Sequence, residues 1–200
     1  MEIAPGVVHL PGYLDRAEQE ALRDRLRDCL AEAPLFTPRM PSTGKEFSVR
    51  MSNLGPLGWV SDIDSYRYQH THPTTHRPWP AMPQRLLEAW RELASGAPLP
   101  EACLVNFYDA DARMGLHQDR DEKDFAVPLV SLSLGDTALF RIGGTDRRSP
   151  TRSFRLQSGD AMSLAGPARL FFHGVDRIFP GTSTLLPNGG RINLTLRRVT

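Results

Sequence analysis

The 200-residue chain is 40% hydrophobic and 24% charged, with 17 Pro and 16 Gly, a make-up that excludes disordered and secreted-scaffold classes and fits one globular domain able to bury its own core. No window approaches about 18 consecutive apolar residues and the segment MEIAPGVVHLPGYLD carries no basic leader, so neither a membrane span nor a signal peptide is expected. A formal net charge of +1 excludes a protein that coats nucleic acid by bulk electrostatics, and any such contact must come from a local patch.

Asp15 with Glu18 three residues on is a helix-start signature, and Leu22, Leu26, Cys29, Leu30 and Ala33 repeat at helical spacing until Pro34 stops the helix. From Phe36 to Pro80 the chain reads as irregular or short-stranded. Three histidines fall there, His70, His72 and His76, but no cysteine is near and Pro73-Thr74-Thr75 makes a loop, which is poor zinc geometry. A second helix begins near Pro83 and runs through Leu86, Leu87, Trp90 and Leu93 to Gly96; the two helices can pack on one face of a sheet. Strands are expected near Cys103–Tyr108, Val127–Leu134, Leu139–Ile142, Ser153–Leu156, Ala161–Leu164, Leu170–His173 and Ile192–Val199. Seven short strands after two helices predict an α+β, mainly β fold: a sandwich or barrel with a helical buttress. The two cysteines, Cys29 and Cys103, match neither CxxC nor zinc-finger spacing, and a reducing cytoplasm fits them.

Within this frame His117-Gln118-Asp119 is the sharpest local feature, because residues i and i+2 of an extended segment face the same side. Alone an H-x-D is a weak signal that surface exposure explains. His173, after Leu170-Phe171-Phe172, is expected at the end of a buried strand, and two His with one carboxylate on a small β core can make the facial triad of a non-heme Fe(II) site. In Arg191-Ile192-Asn193-Leu194-Thr195-Leu196-Arg197, alternation puts Arg191, Asn193, Thr195 and Arg197 on one face. If that face lines a barrel, its guanidiniums need acids, and a dicarboxylate suits them. By the same period Asn106 and Tyr108 share a face.

This ordered set, from Asn106-Phe107-Tyr108 through His117-Gln118-Asp119-Arg120-Asp121-Glu122 and His173 to the Arg191–Arg197 strand, resembles the AlkB family of Fe(II)/2-oxoglutarate-dependent dioxygenases, in its bacterial branch. Met51-Ser52-Asn53, Gly58-Trp59, Tyr66-Arg67-Tyr68 and Pro78-Trp79-Pro80-Ala81-Met82-Pro83 extend the similarity over roughly residues 45–200. The resemblance implies a single dioxygenase domain over 1–200, with a double-stranded β-helix (jelly-roll) catalytic core at 100–200 and a nucleotide-recognition elaboration at 36–80. It implies Fe(II) on His117, Asp119 and His173. It also implies 2-oxoglutarate with its distal carboxylate on Arg191, assisted by Tyr108 and Asn193, and its chelating end served by Arg197 and Asn106. O2 is the second co-substrate. The implied reaction is hydroxylation of an N-methyl group on a nucleobase of DNA or RNA, single-stranded or double-stranded, with release of formaldehyde, succinate and CO2, by a monomer.

Cationic 1-methyladenine and 3-methylcytosine want an aromatic face and a carboxylate. Trp59 matches the family's stacking aromatic, a cation–π contact of about 0.5–2 kcal/mol, and Asp121 its acid. Tyr66, Arg67 and Tyr68 match a nucleic-acid contact segment, and Arg147 a basic residue on the substrate side. Two alternatives stand beside this reading: the same chemistry on a protein, lipid or tRNA substrate, and a metal-free jelly-roll binding module.

Overall fold

Asp15 caps the first helix, α1 (Arg16–Glu32), of the computed structural model, which describes residues 1–200. Its carboxylate accepts the Glu18 backbone N–H at 2.8 Å while the Glu18 carboxylate accepts the Asp15 N–H at 2.8 Å, so two donors that the helix cannot satisfy are satisfied reciprocally. Replacing Asp15 with Ala is expected to lower stability by about 1 kcal/mol in a urea titration; an unchanged midpoint would show the cap to be redundant. The second helix, α2 (Gln84–Leu93), starts one residue after Pro83, which is its cap and stays extended. Neither helix is long and apolar enough to cross a membrane.

The strands are β1 (Glu2–Ala4), β2 (Val7–Leu10), β3 (Arg50–Leu54), β4 (Gly58–Ser61), β5 (Tyr66–Gln69), β6 (Ala102–Tyr108), β7 (Met114–His117), β8 (Leu129–Gly135), β9 (Thr137–Ile142), β10 (Arg152–Leu156), β11 (Ala161–Leu164), β12 (His173–Phe179) and β13 (Arg191–Arg197). They form a seven-stranded sheet in the order β1-β2-β11-β8-β13-β6-β3, a four-stranded sheet β10-β9-β12-β7, and a hairpin β4-β5. This is the expected jelly-roll. Its large sheet is not confined to residues 100–200, because β2 pairs with β11 and β3 pairs with β6. Such short strands do not announce themselves and are recruited by partners far away in sequence.

The large sheet is buried on both faces. Leu132, Leu134, Leu194 and Leu196 point outward to Leu22, Leu26, Leu86 and Trp90 of the two helices. Leu104, Leu129, Phe140 and Val175 fill the space between the sheets. One expected strand is corrected: Leu170–His173 is not a strand, since Gly166–Leu170 forms a 3-10 helix with Pro167 in its first turn, and His173 opens β12 rather than closing a strand. An apolar run of that length fits a buried turn as well as a strand, and periodicity does not separate them.

Candidate active site

β7 and β12 are antiparallel neighbours, and their register sets His117 opposite His173 with ring centroids 4.6 Å apart. This close approach needs Gly174, where a Cβ would lie 2.5 Å from the Met114 carbonyl oxygen. Asp119, two residues beyond His117, completes the set: its two carboxylate oxygens lie 3.8 Å from His117 Nε2 and 3.7 Å from His173 Nε2. His117 Nδ1 is 2.9 Å from the Gly115 carbonyl and His173 Nδ1 is 2.9 Å from the Phe171 carbonyl. Each Nδ1–H is thereby committed to the backbone, and each Nε2 lone pair faces the third ligand. Burial and the adjacent His173 push His117 down to about 4, so the imidazole is neutral at physiological pH. Burial alone would raise Asp119, but Arg197 and the imidazoles overcome it and hold the carboxylate far below its usual range. Two imidazole nitrogens and one carboxylate oxygen, within 4.8 Å of one another, suit a divalent iron.

Of the site residues expected from the sequence, all but Arg67 and Tyr68 line one cavity of about 590 Å³ between the two sheets. On β13, Arg191, Asn193, Thr195 and Arg197 face it while Ile192, Leu194 and Leu196 enter the helix-side core. The two arginines differ in their surroundings. Arg197 Nη2 donates to the Asp119 carboxylate at 2.8 Å, and its Nη1 lies 3.4 Å from Glu122. Arg191, 1% exposed, reaches only neutral oxygens: Ser133 Oγ at 2.6 Å and the carbonyls of Asp136 and Leu156 at 3.2 and 3.1 Å. Burial without an ion-pair partner pushes Arg191 down to about 10. Its Nε and the Asn106 Oδ1 are buried without hydrogen-bond partners. An uncompensated buried guanidinium calls for an anion, and the distal carboxylate of 2-oxoglutarate fits it. Burial pushes Tyr108 up to about 12, so its phenol stays protonated beside that arginine.

At the cavity mouth Trp59 stacks on Tyr66, ring centroids 5.6 Å apart, and donates its indole N–H to Asp121 at 2.8 Å. Arg147 stands over the Phe172 ring at 5.6 Å. Two residues expected to contact nucleic acid, Arg67 and Tyr68, lie off this cavity. Arg67 donates to Asp62 at 2.7 Å from the opposite face of the hairpin to Trp59, so the acids between Trp59 and Tyr66 hold it away from the cavity. Tyr68 turns inward, its hydroxyl bonded to Glu122 and to Arg197. The histidines at 70, 72 and 76 form no metal group; His72 binds the Pro34 carbonyl and the N–H groups of Thr74 and Thr75.

Three residues without an expected role prove central. Gln118, the middle of H-x-D, donates to the Leu170 carbonyl at 2.6 Å and joins the two ligand-bearing segments. Glu122 and Arg169 form a fully buried ion pair at 3.0 Å, and Arg169 also donates to the Asp119 carbonyl at 2.6 Å. A charged residue in the apolar stretch Pro167-Ala168-Arg169-Leu170-Phe171 is the one sequence signal for such a pair.

The profile of the 2OG-Fe(II) oxygenase superfamily matches residues 6–197, and the triad, the buried Arg191 and the jelly-roll together carry that class of chemistry. The chain is 55% identical to an alpha-ketoglutarate-dependent dioxygenase AlkB homolog of Caulobacter vibrioides, over 99% of this chain and 90% of that one. It is 37% identical to the alpha-ketoglutarate-dependent dioxygenase AlkB of Escherichia coli, over 98% and 91%. It is 32% identical to a DNA N(6)-methyladenine demethylase, ALKBH1C, of Arabidopsis thaliana, over 98% of this chain and 49% of that one. The solved structure of OsALKBH1 superimposes with a TM-score of 0.77 at 32% identity, covering 99% of this chain and 100% of that one. The chain thus belongs to the AlkB family of the 2OG-Fe(II) oxygenase superfamily. It is an Fe(II)- and 2-oxoglutarate-dependent dioxygenase, and the donor set and the unpaired Arg191 fit both groups.

Proposed function

We propose that the enzyme demethylates N-alkylated bases, chiefly 1-methyladenine and 3-methylcytosine, in single-stranded DNA and RNA, as direct-reversal repair. A monomer suffices, since one chain carries all three metal donors and both arginines of the cavity. The observation that carries the reading is Trp59. Its ring is stacked on Tyr66 at the cavity mouth and its N–H lies on Asp121, so an aromatic face and an anion meet where a flipped base would enter.

His117, Asp119 and His173 hold Fe(II), and Arg191 takes the distal carboxylate of 2-oxoglutarate with Tyr108 and Asn193 beside it. Asn106 and Arg197 serve its chelating end. When bound, Fe(II) and 2-oxoglutarate together supply the oxidising chemistry that converts an N-methyl to an N-hydroxymethyl group, with O2 consumed and succinate and CO2 released. The hydroxymethyl group then loses formaldehyde and leaves the N–H of the repaired base. Trp59 and Tyr66 hold the base by stacking, Asp121 faces its charge, and Arg147 stands ready for the nucleic-acid backbone. A methyl on the Watson–Crick edge weakens pairing and lowers the cost of flipping the base out.

The direct test incubates the Fe(II)-loaded protein with 2-oxoglutarate and a panel of methylated oligonucleotides, and weighs the products. Loss of one methylene from 1-methyladenine and 3-methylcytosine strands is expected; an unchanged panel with 2-oxoglutarate still consumed would move the substrate to another class. Within that panel, Asp121→Asn is expected to slow 3-methylcytosine several-fold more than neutral 3-methylthymine, because a carboxylate field acts on charge. Trp59→Ala should impair both through lost stacking. Equal losses for the two bases in Asp121→Asn would show that the acid orients Trp59 and does not read the lesion.

A further inference from the structure

The Glu122 side chain is fully buried and does not line the 590 Å³ cavity, yet it touches three polar groups: Arg169 at 3.0 Å, Arg197 at 3.4 Å and the Tyr68 hydroxyl. With Asp119 these make a buried cluster of two acids and two arginines at the cavity wall. The two arginines grip different parts of a single residue. Arg169 Nη1 donates to the Asp119 main-chain carbonyl at 2.6 Å, and Arg197 Nη2 donates to Asp119 Oδ1 at 2.8 Å. The other carboxylate oxygen, Oδ2, is left facing His173. Arg197 spends its second nitrogen on the Tyr68 hydroxyl at 3.1 Å, which keeps the guanidinium from turning both nitrogens onto Asp119 as a bidentate pair.

We propose that Glu122 and Tyr68 are positioning residues for the metal centre: they hold Arg197 on one oxygen of Asp119, keep the other oxygen free as a ligand, and so tie the β4–β5 hairpin to the metal. Tyr68 sits on the hairpin directly opposite Trp59, in register with it. The residue that reads the base and the residue that steadies the ligand therefore share one rigid element. The proposal rests on the assignment of His117, Asp119 and His173 as ligands and is independent of which base is repaired.

The test measures Mn(II) affinity of the metal-free protein, well below its melting temperature, for wild type, Tyr68→Phe, Glu122→Gln and His117→Ala. Tyr68→Phe removes one hydroxyl and no charge; it is expected to weaken Mn(II) about 3- to 10-fold, as one lost hydrogen bond would. Glu122→Gln is expected to weaken it about 10- to 100-fold, the range for partners that orient a metal ligand. In turnover assays with a 3-methylcytosine strand, Tyr68→Phe should leave the KM for the strand unchanged and raise the Fe(II) requirement. If Glu122→Gln does not fold, Tyr68→Phe decides alone. Mn(II) affinity within twofold of wild type in Tyr68→Phe, or a raised strand KM with unchanged metal affinity, overturns the proposal, the second result making Tyr68 a substrate contact. Wild-type Mn(II) binding by His117→Ala would instead overturn the ligand assignment, and the proposal with it.

Discussion

Arg191→Ala is expected to weaken 2-oxoglutarate binding by about two to three and a half orders of magnitude. Removing one member of a buried charge pair costs about 3–5 kcal/mol, because the remaining charge is left without compensation, and each 1.4 kcal/mol is a factor of ten. The only other arginine on that face of β13 is Arg197, and it is occupied by Asp119 and Glu122. Titrating the co-substrate by turnover, and separately by the rise in melting temperature that it confers, checks this. An apparent affinity within a factor of two of wild type would refute the role of Arg191.

Asp119→Ala is expected to abolish turnover and to weaken Mn(II) binding at least about a hundredfold, since it removes the only carboxylate donor and leaves two imidazoles. Arg197 would then keep Glu122 as its counter-ion, so the fold should survive with a lowered melting temperature. Full metal binding in the folded variant would place the metal elsewhere. Because His117 and His173 each carry an Nδ1–H committed to a carbonyl, the imidazoles should keep their orientation in this variant, and the loss measures the carboxylate alone.

The elements announced by local chemistry were legible. Asp15 and Glu18 make their capping box within four residues, and the β13 alternation sorts four polar side chains to the cavity and three apolar ones to the helices. The H-x-D with His173 was legible as a ligand set, although the strand expected to end at His173 in fact begins there. The short strands β1, β2 and β3 were not, because β2 and β3 are recruited by partners far along the chain and β1 only forms a hairpin on β2. Glu122 and Arg169 went unassigned for the same reason, 47 positions separating two charges that neutralise each other in the core.

The sequence by itself determined the period of each element, and with it which side chains could share a face; that suffices for Arg191 with Arg197 and for His117 with Asp119. Tertiary structure alone decided which of those faces meet. Tyr66 and Tyr68 carry the same side chain on the same face of β5, yet Tyr66 stacks on Trp59 at the mouth and Tyr68 binds Glu122 inside. Likewise Arg191 and Arg197 differ only in that β8 offers the first a serine, whereas the chain after β7 offers the second two carboxylates. A period is a property of consecutive residues, while a charge partner is set by the register of strands joined through long connections, and no local pattern encodes it.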